Sequence, residues 1–393
     1  MKKEDVVIVA VARTAIGKYR GALKDKKAAE LASIVIEEVI NRSGIDPLQV
    51  NEVVLGCVGQ VAEDAFISRV ASLKAGLSLE STSITVNRLC GSGLQSIVTG
   101  AMEIMTGFAE VVVAGGTESM NNFPFYLRKA RFGYDIGHGQ LEDGLIVALS
   151  DPFTGTHMGV TAENVASKFN ISREDQDEFA LESQQKAIAA IDAGRFRQEI
   201  VPIKIRLGKE EVIFDIDEHP RRDSSLEKLA KLCPAFKENG TVTAGNSSGI
   251  NDGAAAVILM GAEKAESLGL KPMARIVSAA VAGVPPEIMG IGPVPAVRKL
   301  LQRTGISCDE IGLIELNEAF AAQSIACIRE LRLDPTKVNV NGGAIALGHP
   351  IGASGAIITV KLIYDMMRKG VHYGLTTLCI GGGQGLAVLY ELM

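Results

Sequence analysis

The chain of 393 residues contains no tryptophan and no pair of cysteines at Cys-x-x-Cys spacing. Its six cysteines are scattered, so we expect neither a zinc site nor a disulfide framework. No long run of Lys or Arg is present, and the net charge is −6. This acidic balance makes the chain a poor candidate for wrapping nucleic acid, and no nucleic-acid partner is expected.

Long apolar runs are also missing. The first one, residues 6–12, is too short to span a bilayer, and the acidic residues before it argue against a signal peptide. We therefore expect a cytoplasmic protein without membrane contact. With 47% apolar residues, a chain of this length predicts two or three globular units with sizeable cores.

The second half of the chain repeats patterns of the first. Leu55 in one apolar strand matches Leu316 in another at an offset of 261, and Gly91-Ser-Gly93 matches Ala353-Ser-Gly355 at an offset of 262. The strand 111–116 matches 377–382 at an offset of 266. Nearly constant offsets over several elements indicate an internal duplication.

The first half is longer because a segment interrupts it before its last strand. This segment includes a charged helical stretch, 172–193, and most of the aromatic residues. We expect an N-terminal half of residues 1–118 plus about 249–270, an inserted loop domain of residues 119–248, and a C-terminal half of residues 271–393. Alternating strand and helix patterns predict an α/β fold, with parallel sheets covered by helices on both faces.

Cys90 lies between a β-branched strand pattern and an apolar helical pattern that begins after Gly91-Ser-Gly93. At the amino end of a helix, we expect the pKa of its thiol to be lowered and the sulfur to face a ligand. A buried structural cysteine is the ordinary alternative. A dinucleotide-binding turn is a weaker one, because Ser96 replaces the third glycine of that fingerprint.

His349 lies in the segment 339–355, which contains five glycines. These glycines predict a tight loop, and Pro350 favours extended backbone at the histidine. Most isolated histidines are surface or structural residues. Here the repeat pairs the following helix with the helix after Cys90, which predicts that the two side chains lie close together.

Two further polar or nucleophilic residues end apolar strands. Cys379 precedes Gly381-Gly-Gly383, whose N–H groups would bind an oxyanion. Asn317 stands where a helix over 319–331 is predicted, and it would also serve as a helix N-cap. Without ligand spacing on one element, metal binding is disfavoured. A nucleophilic thiolate with a separate base fits better.

At these residues the chain resembles the thiolase family, most closely its acetyl-CoA C-acetyltransferase (acetoacetyl-CoA thiolase) branch. The resemblance covers essentially the whole chain and rests on the motifs at 87–93, 114–120, 240–249, 317–320, 339–355 and 379–383. It implies a five-layered α-β-α-β-α fold made of two duplicated halves with an inserted loop domain. It also implies reversible Claisen condensation of two acetyl-CoA through an acyl-cysteine, by a ping-pong mechanism, in fatty acid metabolism.

The resemblance implies a role for each candidate. Cys90 attacks the thioester and carries the acyl group, and His349 activates it. Cys379 deprotonates the methyl group of the second acetyl-CoA. His349 and a water held by Asn317 stabilise the enolate oxygen, and the N–H groups of Cys90 and Gly381 bind the oxygen of the tetrahedral intermediate.

Coenzyme A and acetyl-CoA are implied as substrates, with no permanently bound cofactor and no metal. By similarity, coenzyme A lies across the loop domain against Leu149, His157, Met158, Arg221, Ala244, Ser248, Ile250 and Phe320, with Met289 near the acyl pocket. Arg221 would supply positive charge for the nucleotide, and a solvated surface arginine is the alternative.

The pair His157-Met158 resembles short-chain thiolases, so acetoacetyl-CoA is the expected ketoacyl substrate. A broad 3-ketoacyl-CoA thiolase is the first alternative. A decarboxylating ketoacyl synthase is disfavoured, because it would be expected to carry a second His, or a His/Asn pair, where this chain has Cys379. A non-catalytic acyl-CoA-binding protein of the same fold is the remaining alternative. The resemblance also implies a homodimer or homotetramer.

Overall fold

The computed structural model describes residues 5–393, and no helix in that range is long and apolar enough to cross a bilayer. The strands are β1 (Val6–Thr14), β2 (Gly17–Lys18), β3 (Glu52–Gly56), β4 (Thr82–Val86), β5 (Val111–Ser119), β6 (Phe125–Leu127), β7 (Leu141–Asp143), β8 (Ile200–Val201), β9 (Ile203–Leu207), β10 (Glu210–Phe214), β11 (Asn251–Gly261), β12 (Ala274–Gly283), β13 (Ile311–Leu316), β14 (Tyr373–Ile380) and β15 (Gln384–Leu392). The helices are α1 (Ala28–Ser43), α2 (Ile67–Lys74), α3 (Ser92–Met105), α4 (Gly144–Ala148), α5 (Met158–Lys168), α6 (Arg173–Asp192), α7 (Leu226–Ala230), α8 (Ala262–Ser267), α9 (Pro293–Thr304), α10 (Ala321–Leu331), α11 (Ala344–Leu347) and α12 (Ser354–Lys369).

The main sheet is mixed, so the prediction of parallel sheets is wrong. Its strand order is β13-β14-β15-β12-β1-β11-β5-β3-β4, with β2 and β8 paired at its side. Strand β3 runs parallel to β4 and β5, and β13 runs parallel to β14. The remaining neighbours along this order are antiparallel. In the second half the reason is local, because a short glycine turn joins β14 to β15 as a hairpin.

The duplication appears in the strand order. The series β1, β11, β5, β3 runs outward from the middle of the sheet in the same way as β12, β15, β14, β13. The two series meet at two residue pairs, Val7 with Arg275 and Ile8 with Ala274. The strands that matched at nearly constant offsets in the sequence occupy equivalent places, which confirms the two-halves prediction.

The strands of the two halves form two layers, and helices on both faces of each give five layers in all. Helices α3 and α12 pack against each other and against strands of both halves, so they form the middle layer. Helices α1 and α2 cover the outer face of the first half, and α9 and α10 cover that of the second. The apolar core continues from β1 and β11 through α12 to β14 and β15.

The middle layer depends on two glycines at the first turns of α3 and α12. A Cβ on Gly93 would lie 2.9 Å from the backbone nitrogen of Ala356, and a Cβ on Gly355 would lie 2.4 Å from the backbone nitrogen of Leu94. Only glycine permits this approach, because real Cβ atoms do not come so close to backbone. The segments before the two helices, which carry Cys90 and His349, are brought together by this contact.

A buried ion cluster fastens the segment between β5 and β11 to the sheet. Arg13 of β1 is fully buried and forms ion pairs with Glu199 and Asp217, each at an N–O distance of 2.7 Å. Asp217 also accepts a hydrogen bond from the backbone N–H of Ile16, at 2.8 Å. The chain immediately after Asp217 is therefore held at a fixed place beside the sheet.

We predict that Gly355→Ala destabilises the protein by about 1–3 kcal/mol, because the added methyl group must push the two central helices apart. Gly261→Ala is the matched control, since a Cβ at Gly261 meets no heavy atom within 4 Å and its φ is −66°. Urea unfolding followed by circular dichroism measures both variants. Equal midpoints for the two variants would contradict the role given to the helix contact.

Candidate functional site

A cavity of about 860 Å³ lies between the segment that follows β5 and the first turns of the central helices. Cys90, His349 and Gly381 line it. All the residues predicted to contact coenzyme A line it too, namely Leu149, His157, Met158, Arg221, Ala244, Ser248, Ile250, Met289 and Phe320. Cys379 and Asn317 are fully or almost fully buried and lie outside the cavity lining.

Cys90 sits in a turn between β4 and α3, where the sequence placed it. The next residue, Gly91, has no room for a side chain, because a Cβ there would lie 2.6 Å from the Ile380 side chain. Two backbone N–H groups, of Cys90 itself and of Gly381, point at the Cys90 sulfur. The turn after β14 and the turn before α3 therefore meet at this sulfur.

The expectation of a lowered thiol pKa at Cys90 is wrong. Burial raises the pKa of this thiol to about 11, and the N–H groups of Gly381 and Cys90 offset that rise only in part. The nearby Glu118 carboxylate adds to the rise. Desolvation of the thiolate outweighs the favourable helix end. Cys90 is consequently a protonated thiol at neutral pH and needs a base to become a nucleophile.

His349 supplies a neutral imidazole. Its Nδ1 lies 2.6 Å from the Ser354 hydroxyl oxygen, and that hydroxyl donates to the Pro350 carbonyl at 2.9 Å. Because the single hydroxyl proton is used there, Nδ1 must carry a hydrogen and donate it to Ser354. This leaves Nε2 unprotonated, and Nε2 is buried without a partner in the described chain. Burial lowers the pKa of His349 to about 4, so the free nitrogen is an acceptor at neutral pH.

Asn251, a residue that the sequence reasoning did not select, holds the backbone beside this histidine. Its Oδ1 accepts the N–H of His349 at 2.9 Å, and its Nδ2 donates to the Gly17 carbonyl at 3.0 Å. Gly348 has φ of +111°, and a Cβ there would lie 2.6 Å from the Asn251 side chain. The loop conformation at His349 is thus fixed by a glycine and an amide together.

Cys379 lies on β14, one residue before the strand ends, opposite Gly385 of β15. It packs in an apolar cluster with Met158, Met289 and Phe320. Burial, followed by the proximity of Cys90, raises the pKa of Cys379 well above its usual value. The two cysteines are therefore electrostatically coupled, and neither is a stable thiolate in the free protein.

Asn317 does not cap a helix, so that interpretation is wrong. The helix begins at Ala321 and its N-cap is Phe320. The backbone N–H of Asn317 donates to the Thr377 carbonyl, which ties it to β14. Both polar atoms of its side-chain amide are buried and find no hydrogen-bond partner within residues 5–393. A buried amide in this state costs roughly 1–3 kcal/mol, which indicates a role in binding rather than in stability.

The outer part of the cavity has features that the sequence reasoning missed. His157 caps α5 by accepting the Gly159 N–H at 3.0 Å, and its ring stacks on Phe236 at 4.7 Å. Phe236 in turn meets Phe320 edge to face. Phe236 stands in no motif, so only its position in the fold identifies it. His219, which no sequence motif singled out, also lines the cavity.

Charged residues surround the mouth of the cavity. Arg221 and Arg222 are exposed there together with Lys18, and Glu218 and Asp223 lie among them. Arg222 pairs with Asp192 at 2.6 Å, whereas the described residues supply no ion-pair partner to Arg221. Arg221 is consequently the guanidinium most available to an anionic ligand.

Comparison with known proteins decides the family. The model described as "Thiolase, N-terminal domain" matches residues 6–263, and "Thiolase, C-terminal domain" matches residues 270–392. The chain belongs to the thiolase family.

Its relatives carry two kinds of name. An acetyl-CoA acetyltransferase of Pseudomonas aeruginosa is 53% identical, with 98% of each chain covered. Beta-ketothiolase BktB of Cupriavidus necator is 50% identical, with 98% of this thiolase and 99% of the relative covered. The crystal structure of human mitochondrial 3-ketoacyl-CoA thiolase in complex with CoA is 45% identical, has a TM-score of 0.96, and covers 100% of this chain and 98% of its own. The thiolase fold predicted from the sequence is confirmed.

We predict that the His349 ring of this thiolase stays neutral, with hydrogen on Nδ1, from pH 5.5 to 8. A pKa lowered to about 4 means that protonation begins only as the pH falls below this range. Nitrogen-15 NMR of histidine-labelled protein reports charge and tautomer, and the His349→Gln spectrum assigns the signal. Ser354→Ala removes the acceptor at Nδ1 and should mix the tautomers. Hydrogen on Nε2, or titration near pH 6.5, would refute the assignment.

Proposed function

We propose that this thiolase catalyses the reversible condensation of two acetyl-CoA to acetoacetyl-CoA and CoA through an acetylated Cys90. The observation that carries the proposal is the meeting of a thiol, an unprotonated imidazole nitrogen and two converging N–H groups in one cavity. A second buried thiol lies directly behind them. This set matches the two jobs of the reaction, which are acyl transfer and removal of a proton from carbon.

In the first half-reaction, Cys90 attacks the thioester carbonyl while Nε2 of His349 takes its proton. Because the free thiol and imidazole are both neutral, proton transfer accompanies attack rather than preceding it. The N–H groups of Cys90 and Gly381 face the oxygen of the tetrahedral intermediate, and one such donor is typically worth about 3–4 kcal/mol. The carbon–sulfur bond to CoA then breaks, and Cys379 gives its proton to the CoA sulfur. This step leaves a Cys379 thiolate while His349 still carries the proton of Cys90.

In the second half-reaction, Cys379 takes a proton from the methyl group of a second acetyl-CoA. The resulting carbanion attacks the carbonyl carbon of acetyl-Cys90, the new carbon–carbon bond forms, and the bond to Cys90 breaks. His349 returns its proton to the released Cys90 sulfur while Cys379 keeps the methyl proton, so both thiols and the imidazole are neutral again and the cycle is closed. His349, with a water bound by the unpartnered amide of Asn317, stabilises the enolate oxygen.

We assign coenzyme A binding to residues 119–248 as an inserted domain, between a first half of residues 1–118 plus about 249–270 and a second half of 271–393. Cavity residues from the inserted segment support this assignment, with Leu149 and Met158 inside and Arg221 at the mouth. The stacked His157 and Phe236 rings would form an apolar wall for the pantetheine arm. Arg221 would pair with a phosphate of the nucleotide.

The acyl end of the cavity favours a short substrate. Met158, Met289 and Phe320 are buried and pack around Cys379, so they close the space beyond the reacting carbons. A longer acyl chain would have to displace these side chains. A broad 3-ketoacyl-CoA thiolase remains the second candidate, because one relative is named a beta-ketothiolase and a structural neighbour is a 3-ketoacyl-CoA thiolase.

Thiolysis tests the proposal directly. Purified protein with free CoA should cleave acetoacetyl-CoA rapidly and a C8 3-ketoacyl-CoA at least roughly tenfold more slowly in kcat/KM, since each excluded methylene costs about 1–3 kcal/mol. Loss of the ketoacyl thioester absorbance follows both reactions. Comparable rates would favour the broad thiolase, and cleavage of neither substrate would leave a non-catalytic CoA-binding protein.

The variant Cys90→Ser separates catalysis from binding in this assay. It should lose thiolysis and retain CoA binding, because its hydroxyl has the geometry of the thiol but is a much weaker nucleophile. Calorimetric titration with CoA provides the control. Undiminished thiolysis in Cys90→Ser would rule out the acyl-cysteine.

We further propose that two copies pair through β4 and that two such dimers associate as a homotetramer. Strand β4 is an edge strand with every residue at least partly exposed, and such an edge templates pairing. Apolar side chains around it are exposed, among them Phe66, Leu79 and Phe108. The hairpin of β6 and β7 exposes Phe125 and Leu141 and offers a second surface.

Light scattering tests the assembly. We expect a species of four times 41.5 kDa at micromolar concentration, and a shift toward smaller species in Ile84→Lys, which places a charge on β4. Met367→Lys changes an exposed apolar residue on α12 and should leave the mass unchanged. A monomer for the unsubstituted protein would refute the proposal.

A cytoplasmic location completes the proposed function. All six cysteines are free, with Cys90 and Cys379 close enough to influence each other. A reducing compartment keeps such thiols available for catalysis.

A further inference from the structure

Glu118 is a buried carboxylate that the proposed mechanism does not use. It lies at the end of β5, is 1% exposed, and stays outside the cavity lining. Its oxygens accept the backbone N–H groups of Val58 and Gly59, each at 3.0 Å, and of Gly352 at 2.9 Å. The Cys57 thiol lies 3.5 Å away as a fourth donor.

These hydrogen bonds connect the two halves of the molecule. Val58 and Gly59 follow β3 of the first half, whereas Gly352 belongs to the loop of the second half, three residues after His349. A Cβ on Gly352 would lie 2.5 Å from the Glu118 carboxylate, so glycine at this position permits the close contact. Asn251 holds the same loop at His349, and Glu118 holds it on the far side.

Stability alone does not explain this carboxylate. Residues 5–393 provide no cation that forms an ion pair with it, and burying an unpaired carboxylate is costly. Burial raises the pKa of Glu118 to about 7 against the opposing effect of the three N–H donors. The titratable side chains facing it are thiols, those of Cys57 and Cys90, and its charge raises the pKa of both. Its charge thus opposes loss of the proton that Cys90 gives up in the proposed reaction, so it does not activate this thiol electrostatically.

We propose that Glu118 is a positioning residue for acyl transfer, which holds the His349 loop in place against Cys90 through the Gly352 N–H. It acts through His349 and touches neither substrate nor the reacting atoms. This role rests on the proposed function of Cys90 and His349.

A double-mutant cycle tests the role. Glu118→Gln keeps the size of the side chain, but its NH₂ group cannot accept a hydrogen bond. It must face either the Gly59 N–H or the Val58 and Gly352 N–H groups, which weakens the link between the two loops. Acetylation of Cys90 by acetyl-CoA is followed by intact mass in four proteins, with and without His349→Ala. We expect roughly a tenfold or greater loss from Glu118→Gln when His349 is present and at most about a twofold effect in the His349→Ala background.

The cycle separates positioning from general damage. Any direct effect of the lost charge on the thiol is present in both backgrounds, as is any loss of stability. An equal loss in both backgrounds, or no loss when His349 is present, overturns the role. Iodoacetamide alkylation of Cys90 in the same four proteins gives a second measurable cycle where acetylation is slow, and the same outcomes apply.

Two more variants keep the test independent of folding. Gly59→Ala brings a Cβ to 3.1 Å from the Glu118 carboxylate and 3.0 Å from Phe123, a mild displacement that should lower acetylation several-fold without unfolding the protein. Glu163→Gln is the matched control, because Glu163 is also buried and accepts the N–H groups of Thr241 and Val242, far along the chain from the His349 loop. It should leave the acetylation rate of bound acetyl-CoA unchanged.

Wild-type protein that is never acetylated would overturn the proposed function itself, whereas a failed cycle in an acetylated protein overturns only the role of Glu118.

Discussion

The contact between the first turns of α3 and α12 is the constraint on which the rest of the structure depends. The two helices approach at Gly93 and Gly355, where no other side chain fits against the opposing backbone. Each helix follows the loop that carries one reactive residue, so their packing sets the position of Cys90 relative to His349. Duplication explains why both glycines are present, since they occupy equivalent places in the two halves. A symmetric core contact thereby creates an asymmetric site, with a thiol contributed by one half and an imidazole by the other.

Burial by this core then determines the chemistry of the site. Removing water disfavours every charged form, which raises the pKa of both thiols and lowers that of His349. The resting state is therefore neutral, and in the proposed mechanism charge develops only as a thioester oxygen meets the N–H groups of Cys90 and Gly381. Fixed dipoles aimed at such a developing charge stabilise it more effectively than water does, because they do not have to reorient. A permanently ionised Cys90 thiolate would be oxidised more readily, and its charge would oppose ionisation of the Cys379 thiol.

Much of this organisation was accessible from the sequence because it lies in motifs with local meaning. Glycines next to Cys90, His349 and Cys379 mark tight turns at strand ends, and the repeat offsets predict that the turns converge. The direction of the strands was not accessible, since apolar patterns report burial and not polarity. The pKa of Cys90 was misjudged because a helix end is visible in the sequence whereas desolvation is not. Phe236, Asn251 and Glu118 were missed because each acts on residues distant in the chain.

The distribution of unsatisfied polar atoms gives an independent reading of where function lies. Among the buried side-chain atoms without a partner in the described chain, three belong to Asn317 and His349. The other four belong to four different residues, Glu103, Asp151, Gln176 and Thr376, whereas the buried cluster of Arg13, Glu199 and Asp217 is paired. A fold able to satisfy a buried guanidinium with two carboxylates could also have satisfied one amide and one imidazole nitrogen. In the proposed mechanism these atoms are kept free for a thioester and a water, which recover the stability lost there when they complete the hydrogen bonds.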